Sequence, residues 1–161
     1  MTRFATILIL MFGLAVPAQA SMVDPIHVGN WEGGAYYDDN SRLFSHCAVG
    51  VDYQNGVYLV LGWDQNGLTL GFVDDRWNAL AVGSQTNVRI QIDNSWDSQG
   101  PANVIGQGHL VTVMGREPRP VTAMRRGIQL TATIGKEVIT FDLTSTNAAI
   151  DALAGCYRRH S

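Results

Sequence analysis

FSHCAVGVDYQNGVYLVLGWDQNGLTLGFVDDRW, residues 44–77, is the stretch that decides the fold. Two copies of the tripeptide Gln-Asn-Gly, at residues 54–56 and 65–67, divide it into three apolar segments. Asn-Gly is favoured where both central residues of a two-residue hairpin turn need a positive φ, as in the type I′ turn. The stretch therefore predicts three antiparallel strands joined by two such turns.

The side chains of these segments alternate as expected for a sheet with one buried face. In residues 68–73 every second residue is large and apolar, and residues 47–51 alternate in a similar way. A period of two predicts strands that turn one face to the core. The middle segment, residues 57–63, is apolar on both faces.

The rest of the chain continues the β pattern. Further strands are predicted at residues 33–37, 88–93, 109–114, 128–134 and 138–143, with a less regular one at 102–105. Residues 94–101 are predicted as a loop, and residues 116–120, with two prolines, as an extended connection. One helix is predicted at residues 147–154, ended by Gly155. The fold class is mainly β: an antiparallel sheet forming a sandwich or partly closed barrel, with one short C-terminal helix.

The first twenty residues have the pattern of a secretory signal peptide. Arg3 supplies the positive charge, residues 4–16 the apolar run, and Ala18-Gln19-Ala20 the small-x-small cleavage pattern. The run is shorter than the roughly 20 residues that span a bilayer. We predict a signal peptide at residues 1–20 and a single β-rich domain at 21–161, periplasmic or secreted after cleavage near Ala20, with no transmembrane segment.

The charge of the chain argues against one class of partner. Fourteen acidic and eleven basic residues give a formal net charge of −3. Nucleic-acid-binding proteins carry a basic footprint that neutralises phosphates. No nucleic-acid partner is therefore predicted.

Cys47 and Cys156 are the only two cysteines. In an exported chain such a pair predicts one structural disulfide, which ties the first strand of the meander to the C-terminal end. A reactive Cys47 activated by His46 is the alternative. Neighbouring residues on a strand point to opposite faces, which disfavours that activation.

Motifs for catalysis and for metal binding are missing from the sequence. There is no Gly-x-Ser-x-Gly elbow, no His-Glu-x-x-His, no phosphate-binding glycine loop and no paired-cysteine metal motif. Asp93, Asn94 and Asp97 could offer oxygen ligands to calcium but do not match the twelve-residue calcium loop. No catalytic residue, metal site or cofactor is assigned, and a non-enzymatic protein is expected.

Two surfaces are candidates for binding. A rim of charged and aromatic residues follows the strands of the meander, and aromatic side chains often anchor interfaces. It comprises Trp63, Asp64, Asp74, Asp75, Arg76 and Trp77. A basic patch that would suit an acidic partner or lipid phosphate comprises Arg116, Arg119, Arg125 and Arg126. The simpler interpretations are core packing and a local ion pair at the rim, and a solvated face at the patch.

The second half resembles exported bacterial proteins of the invasion-associated locus B type. The resemblance covers roughly residues 86–154 and rests on four segments: 88–93 (VRIQID), 124–130 (MRRGIQL), 139–143 (ITFDL) and 148–153 (AAIDAL). The chain departs from such proteins in having no cysteine between Asn87 and Gly155, where they tend to carry a pair. The first half resembles small secreted proteins of proteobacteria. The resemblance implies a β-rich exported protein connected with the cell envelope or host contact, and it transfers no active-site residue.

Three functions are compatible with these observations. The leading hypothesis is a non-enzymatic binding protein of the envelope that uses an exposed sheet face or the rim to bind an envelope or host protein. The first alternative is a periplasmic inhibitor or immunity protein whose acidic loop blocks a cell-wall hydrolase. The second is a hydrolase whose catalytic pair consists of two carboxylates from among Asp64, Asp74 and Asp75.

Overall fold

A computed structural model describes residues 22–161, which form one ten-stranded antiparallel sheet and two α-helices. The mainly β prediction is confirmed. The predicted signal peptide and its cleavage near Ala20 lie outside the described residues. The elements in chain order are β1 Met22–Val28, β2 Trp31–Tyr37, β3 Phe44–Asp52, β4 Tyr58–Asp64, β5 Gly67–Val73, a 3-10 turn Asp75–Trp77, β6 Gln85–Ile92, β7 Trp96–Gly106, β8 His109–Gly115, α1 Pro118–Arg126, β9 Gln129–Ile134, β10 Glu137–Asp142 and α2 Thr146–His160.

The meander predicted from residues 44–77 is confirmed as β3, β4 and β5. Cys47 pairs with Trp63 across the first interface, and Trp63 pairs with Leu68 across the second. Directly opposed residues lie on the same face of a sheet. These three side chains therefore point together towards the core.

The two turns of the meander differ from the predicted type. Only the glycines have a positive φ, 84° at Gly56 and 102° at Gly67, and neither Asn55 nor Asn66 does. A type I′ turn needs a positive φ at both central residues, so that prediction was wrong. The amide of Gly56 donates to the carbonyl of Tyr53 at 2.9 Å, which closes an ordinary turn and leaves the left-handed position to the glycine.

The sheet is continued by a strand that is distant in sequence. Its order is β1-β2-β3-β4-β5-β8-β7-β6-β9-β10, so the meander meets β8 rather than β6. Gly71 pairs with Val111 and Phe72 with Leu110 across this interface. The pairing of β5 with β8 joins the two halves of the chain into one sheet.

The sheet curls so that β10 packs against the inner face of the meander. The ring of Phe141 lies 4.9 Å from that of Tyr53 and 5.8 Å from that of Phe72, measured between centroids. The side-chain amide of Asn55 donates to the carbonyl of Thr140 at 2.9 Å. The edge strands β1 and β10 do not pair, and the sheet is not closed into a barrel. Both halves nevertheless share one core.

The C-terminal helix is longer than predicted. It was expected at residues 147–154, but α2 continues through Gly155 to His160. A glycine inside a helix costs about 1 kcal/mol relative to alanine. Cys156 extends the buried stripe beyond Gly155 and is fixed to the sheet, so tertiary packing outweighs the cost.

Two segments predicted as irregular are regular in the structure. Residues 97–100 belong to β7 because they pair with β6, for example Asp97 with Gln91. Their polar side chains give no sequence signal for a strand. Residues 118–120 belong to α1, which begins at Pro118. Proline is tolerated at the first position of a helix because the amide there has no partner within the helix.

The predicted disulfide between Cys47 and Cys156 is confirmed. The Cα atoms lie 6.2 Å apart, and both residues are fully buried. The bond fastens α2 across β3, in the same region where α2 contacts β1, β2 and β4. Residues 22–161 contain no free cysteine, so the alternative of a reactive Cys47 is not supported.

Replacing both cysteines, Cys47→Ala with Cys156→Ala, should lower the free energy of unfolding by on the order of 4–5 kcal/mol. The reason is that a cross-link between residues 109 positions apart no longer constrains the unfolded chain. Urea denaturation with and without a reductant measures the effect. Reduction should lower the wild-type midpoint and leave the variant unchanged. An unchanged wild-type midpoint after complete reduction would contradict the prediction.

Candidate functional site

A groove crosses the solvent face of the sheet over β3, β4, β5 and β8. Its volume of about 440 Å³ falls within the ~300–1,000 Å³ typical of ligand sites. Ala48 pairs with Gly62 in its floor, and the groove runs on over the neighbouring strands. Its larger apolar side chains are Tyr58, Val60, Val73, Ile105 and Val111.

Glycines keep the floor of this groove low. A Cβ atom on Gly71 would lie 3.1 Å from the Cβ of Val60 on the neighbouring strand. A Cβ atom on Gly50 would overlap the ring of Tyr58, which lies across that glycine. Glycine inside a strand often marks a close approach of other groups. Here it lets cross-strand neighbours lie flat, so a shallow apolar trough stays open.

Neutral polar side chains lie towards the two ends of the groove: His46 near Asp64 at the end of β4, and Tyr58 at the start of β4. The ring of His46 stacks on that of Tyr36, with centroids 5.2 Å apart. Burial lowers the pKa of His46, and the carboxylate of Asp64 opposes this only partly, so the imidazole is uncharged at pH 7. Burial also raises the pKa of Tyr58, with a further contribution from Tyr36. The groove thus offers apolar contact and uncharged hydrogen-bonding groups.

The six residues of the predicted binding rim do not form one surface. Trp63 and Asp64 end β4, beside the turn into β5, whereas residues 74–77 follow the opposite end of β5. The seven residues of β5, rising about 3.3 Å each, separate the two groups by roughly 20 Å. Asp64 therefore does not face Asp74 or Asp75 at the about 5–5.5 Å that a retaining glycosidase needs.

Most of the second group is engaged within the protein. Nε and Nη2 of Arg76 each donate to the carboxylate of Asp74 at 2.9 Å, and this hydrogen bonding lowers the pKa of Asp74. Nη1 of Arg76 lies 3.5 Å from Glu137. Trp77 is buried, with 5% of its surface exposed, and Trp63 packs against the core. The simpler interpretation of the rim, core packing and an ion pair, describes these residues.

The predicted basic patch is also divided. Arg125 donates to the carboxylate of Asp151 on α2 at 2.6 Å. The guanidinium of Arg116 lies 5.8 Å from the centre of an aromatic ring of α2. Arg119 and Arg126 remain exposed and line a separate cleft beside α1. The four arginines therefore do not act as one cationic surface.

Ligand-type side chains meet where the end of α2 reaches β1. Oδ2 of Asp24 lies 3.1 Å from Nε2 of His160, and Nδ1 of His160 lies 2.7 Å from the Tyr37 hydroxyl. Nε of Arg159 also donates to Asp24, at 3.1 Å. Cys156 is close by, but its sulfur is in the disulfide and cannot serve as a thiolate ligand. The cluster is a hydrogen-bonded tie between the two ends of the domain.

The groove consists mainly of residues that the sequence analysis did not select. Asp64 was predicted as part of the rim, but Tyr58, Val60, Gly71 and Val111 were not predicted as site residues. The available signal was one interior glycine in each of β3, β4 and β5, namely Gly50, Gly62 and Gly71. The contribution of β8 required a pairing that no local pattern specifies.

Comparison with known proteins gives a likeness in fold. No protein-family model matches the chain, and no curated protein matches it. The crystal structure of invasion associated protein B from Bartonella henselae is similar, with a TM-score of 0.58 at 13% identity, over 86% of this chain and 100% of that one. At this identity the likeness shows the fold alone. It agrees in part with the resemblance noted for residues 86–154.

Neither helix within residues 22–161 is long and apolar enough to cross a bilayer.

Asp24→Asn should destabilise the protein at pH 7 and have progressively less effect in acid. Hydrogen bonds from Arg159 and His160 lower the pKa of Asp24 below its usual 3.8. The carboxylate therefore stabilises the fold above pH 3.8, and this contribution is lost as the pH falls through the lowered pKa. Urea midpoints of wild type and variant at pH 7 and near pH 3 measure the difference.

Asp39→Asn is the matched control, because Asp39 makes no ion pair with another described residue. Its midpoint should differ little from wild type at either pH. A destabilisation by Asp24→Asn that is equal at both pH values would contradict the prediction.

Proposed function

We propose that this chain is an exported, non-enzymatic binding protein of the bacterial envelope that holds an apolar segment of a protein partner in the groove of its outer sheet face. The observation that carries the proposal is the groove itself, about 440 Å³ in volume and floored by small residues. Large apolar grooves on an otherwise solvated surface are typical of interaction sites. The hypothesis of an exposed sheet face is thereby preferred to that of the rim.

The chemistry of the groove favours apolar side chains as the occupant. Asp64 is the one formally charged residue among those that line it, and no arginine or lysine does so. A lipid phosphate or a fatty-acid carboxylate would find no counter-charge there. Neutral His46 and the Tyr58 hydroxyl can instead bond the backbone of a bound segment.

Three further observations support export and an envelope role. A disulfide between buried cysteines is typical of oxidising compartments such as the periplasm. The likeness in fold to invasion associated protein B agrees with a role at the envelope. The signal-peptide pattern at residues 1–20 points the same way.

The inhibitor alternative receives less support. It requires a free acidic loop to match a basic enzyme. In the Asp74–Asp75 turn the first carboxylate is already bound by Arg76, which also approaches Glu137. The loop therefore offers a partner little uncompensated negative charge.

Site-specific photocrosslinking in the producing cell tests the proposal. A benzophenone amino acid at position 60 or 111 should form the same discrete protein adduct, because both side chains line the groove. The same group at Val138, which is 66% exposed on β10, is the control and should not form that adduct. No adduct from the groove positions, or the same adduct from position 138, would contradict it.

Val60→Asp should reduce the yield of the adduct formed from position 111 by about tenfold or more. A carboxylate in an apolar contact must be desolvated without a partner, and that cost opposes binding. Val138→Asp is the matched control, since it introduces the same charge at an exposed valine outside the groove. Thermal denaturation of both variants separates lost binding from lost folding. Equal yields from the two variants would contradict the prediction.

A further inference from the structure

A second, polar cleft lies where the tip of the β6–β7 hairpin meets α1. Its volume is about 420 Å³. Residues 93–97 of the hairpin form one side, and Glu117 and Arg119 at the start of α1 form the other. This cleft lies outside the groove of the outer sheet face and shares no lining residue with it.

Trp96 stands between this cleft and an adjoining one of about 400 Å³. Trp96 and Glu117 are the two residues that line both. The indole is partly exposed and partly packed against the core. An aromatic ring at this position gives a flat apolar surface, and polar side chains line the clefts on both sides of it.

Several polar groups of the cleft are already bonded within the protein. The two carboxylate oxygens of Asp93 accept hydrogen bonds from the backbone amides of Ile128 and Gln129, both at 3.0 Å. The carboxylate of Asp97 accepts a hydrogen bond from Nε of Arg89 at 2.9 Å. Neither carboxylate is therefore free to bind a cation in the manner of a calcium loop.

Other polar groups of the cleft have no partner among the described residues. The carboxylate of Glu117 does not cap α1, and neither it nor the guanidinium of Arg119 makes a hydrogen bond or ion pair there. The amide of Asn94 is exposed at the hairpin turn. These three are planar groups that can form paired hydrogen bonds with adjacent hydroxyls.

The composition of the cleft selects between ligand classes. Three carboxylates face one guanidinium, which disfavours phosphates and nucleic acid. The polar lining disfavours an acyl chain or an apolar peptide segment. A ligand with a flat C–H face and many hydroxyl groups matches both the indole and the free planar groups.

We propose that the Trp96 cleft is an oligosaccharide-binding site. The indole of Trp96 contacts the C–H face of a sugar ring, and Asn94, Glu117 and Arg119 bind its hydroxyl groups. The adjoining cleft beyond Trp96 accommodates the next sugar of the chain. This site is independent of the proposed groove function and adds a glycan to the ligands of the protein.

Isothermal titration with two neutral tetrasaccharides tests the proposal: a β-1,4-linked N-acetylglucosamine tetramer and maltotetraose. At least one should bind saturably to the full exported chain. Trp96→Ala should weaken that binding by about tenfold, and Trp96→Phe should retain most of it. Asn94→Ala and Glu117→Gln should each weaken it by about fivefold through a lost hydrogen bond. Because their side chains are exposed and unpaired, these two variants should keep the wild-type unfolding midpoint.

Two control variants keep this test separate from that of the groove. Trp63→Phe changes a partly buried tryptophan that lines neither cleft, and Val60→Asp blocks the groove, so both should bind the sugar with wild-type affinity. Loss of sugar binding in Val60→Asp alone would overturn the Trp96 site. So would the absence of saturable binding to either tetrasaccharide, or wild-type affinity in both Asn94→Ala and Glu117→Gln.

Discussion

The pairing of β5 with β8 is the interaction on which the rest of the structure depends. It joins the five N-terminal strands, β1 to β5, to the strands that follow in space, although β6 and β7 intervene in the chain. On the inner face it sets Phe72 beside Leu110 in the core. On the outer face it sets Gly71 beside Val111 in the groove. One register thus builds both the core and the candidate binding surface.

The two faces of the meander have opposite requirements. Inside, large side chains such as Leu61, Leu70 and Phe72 are fully buried in the core. Outside, Gly62 and Gly71 on the same strands leave a trough. Glycines inside strands cost stability for two reasons. They have no side chain to pack, and they lose more conformational freedom on folding than other residues do. The side chains of Thr69 and Val60 on the neighbouring strands approach Gly62 and Gly71 closely and recover part of that packing.

The sequence predicted what depends on neighbouring residues and missed what depends on distant ones. The meander could be predicted because apolar alternation and Asn-Gly turns are local signals. β7 could not, because its polar residues 97–100 are in a strand only through pairing with β6. The end of α2 was misplaced because Gly155 is a local stop signal that the fixed Cys156 overrides. The predicted rim is not one surface because its two groups of residues, although close in sequence, lie at opposite ends of β5.

The position of the disulfide has a consequence for incomplete chains. Cys47 lies in β3 and Cys156 lies in the second half of α2, 109 residues later. A polypeptide that ends between Asp142 and Cys156 contains the residues of all ten strands but leaves the Cys47 thiol without its partner. Because the chain has only these two cysteines, an oxidised Cys47 within the monomer identifies a polypeptide that extends into its C-terminal helix.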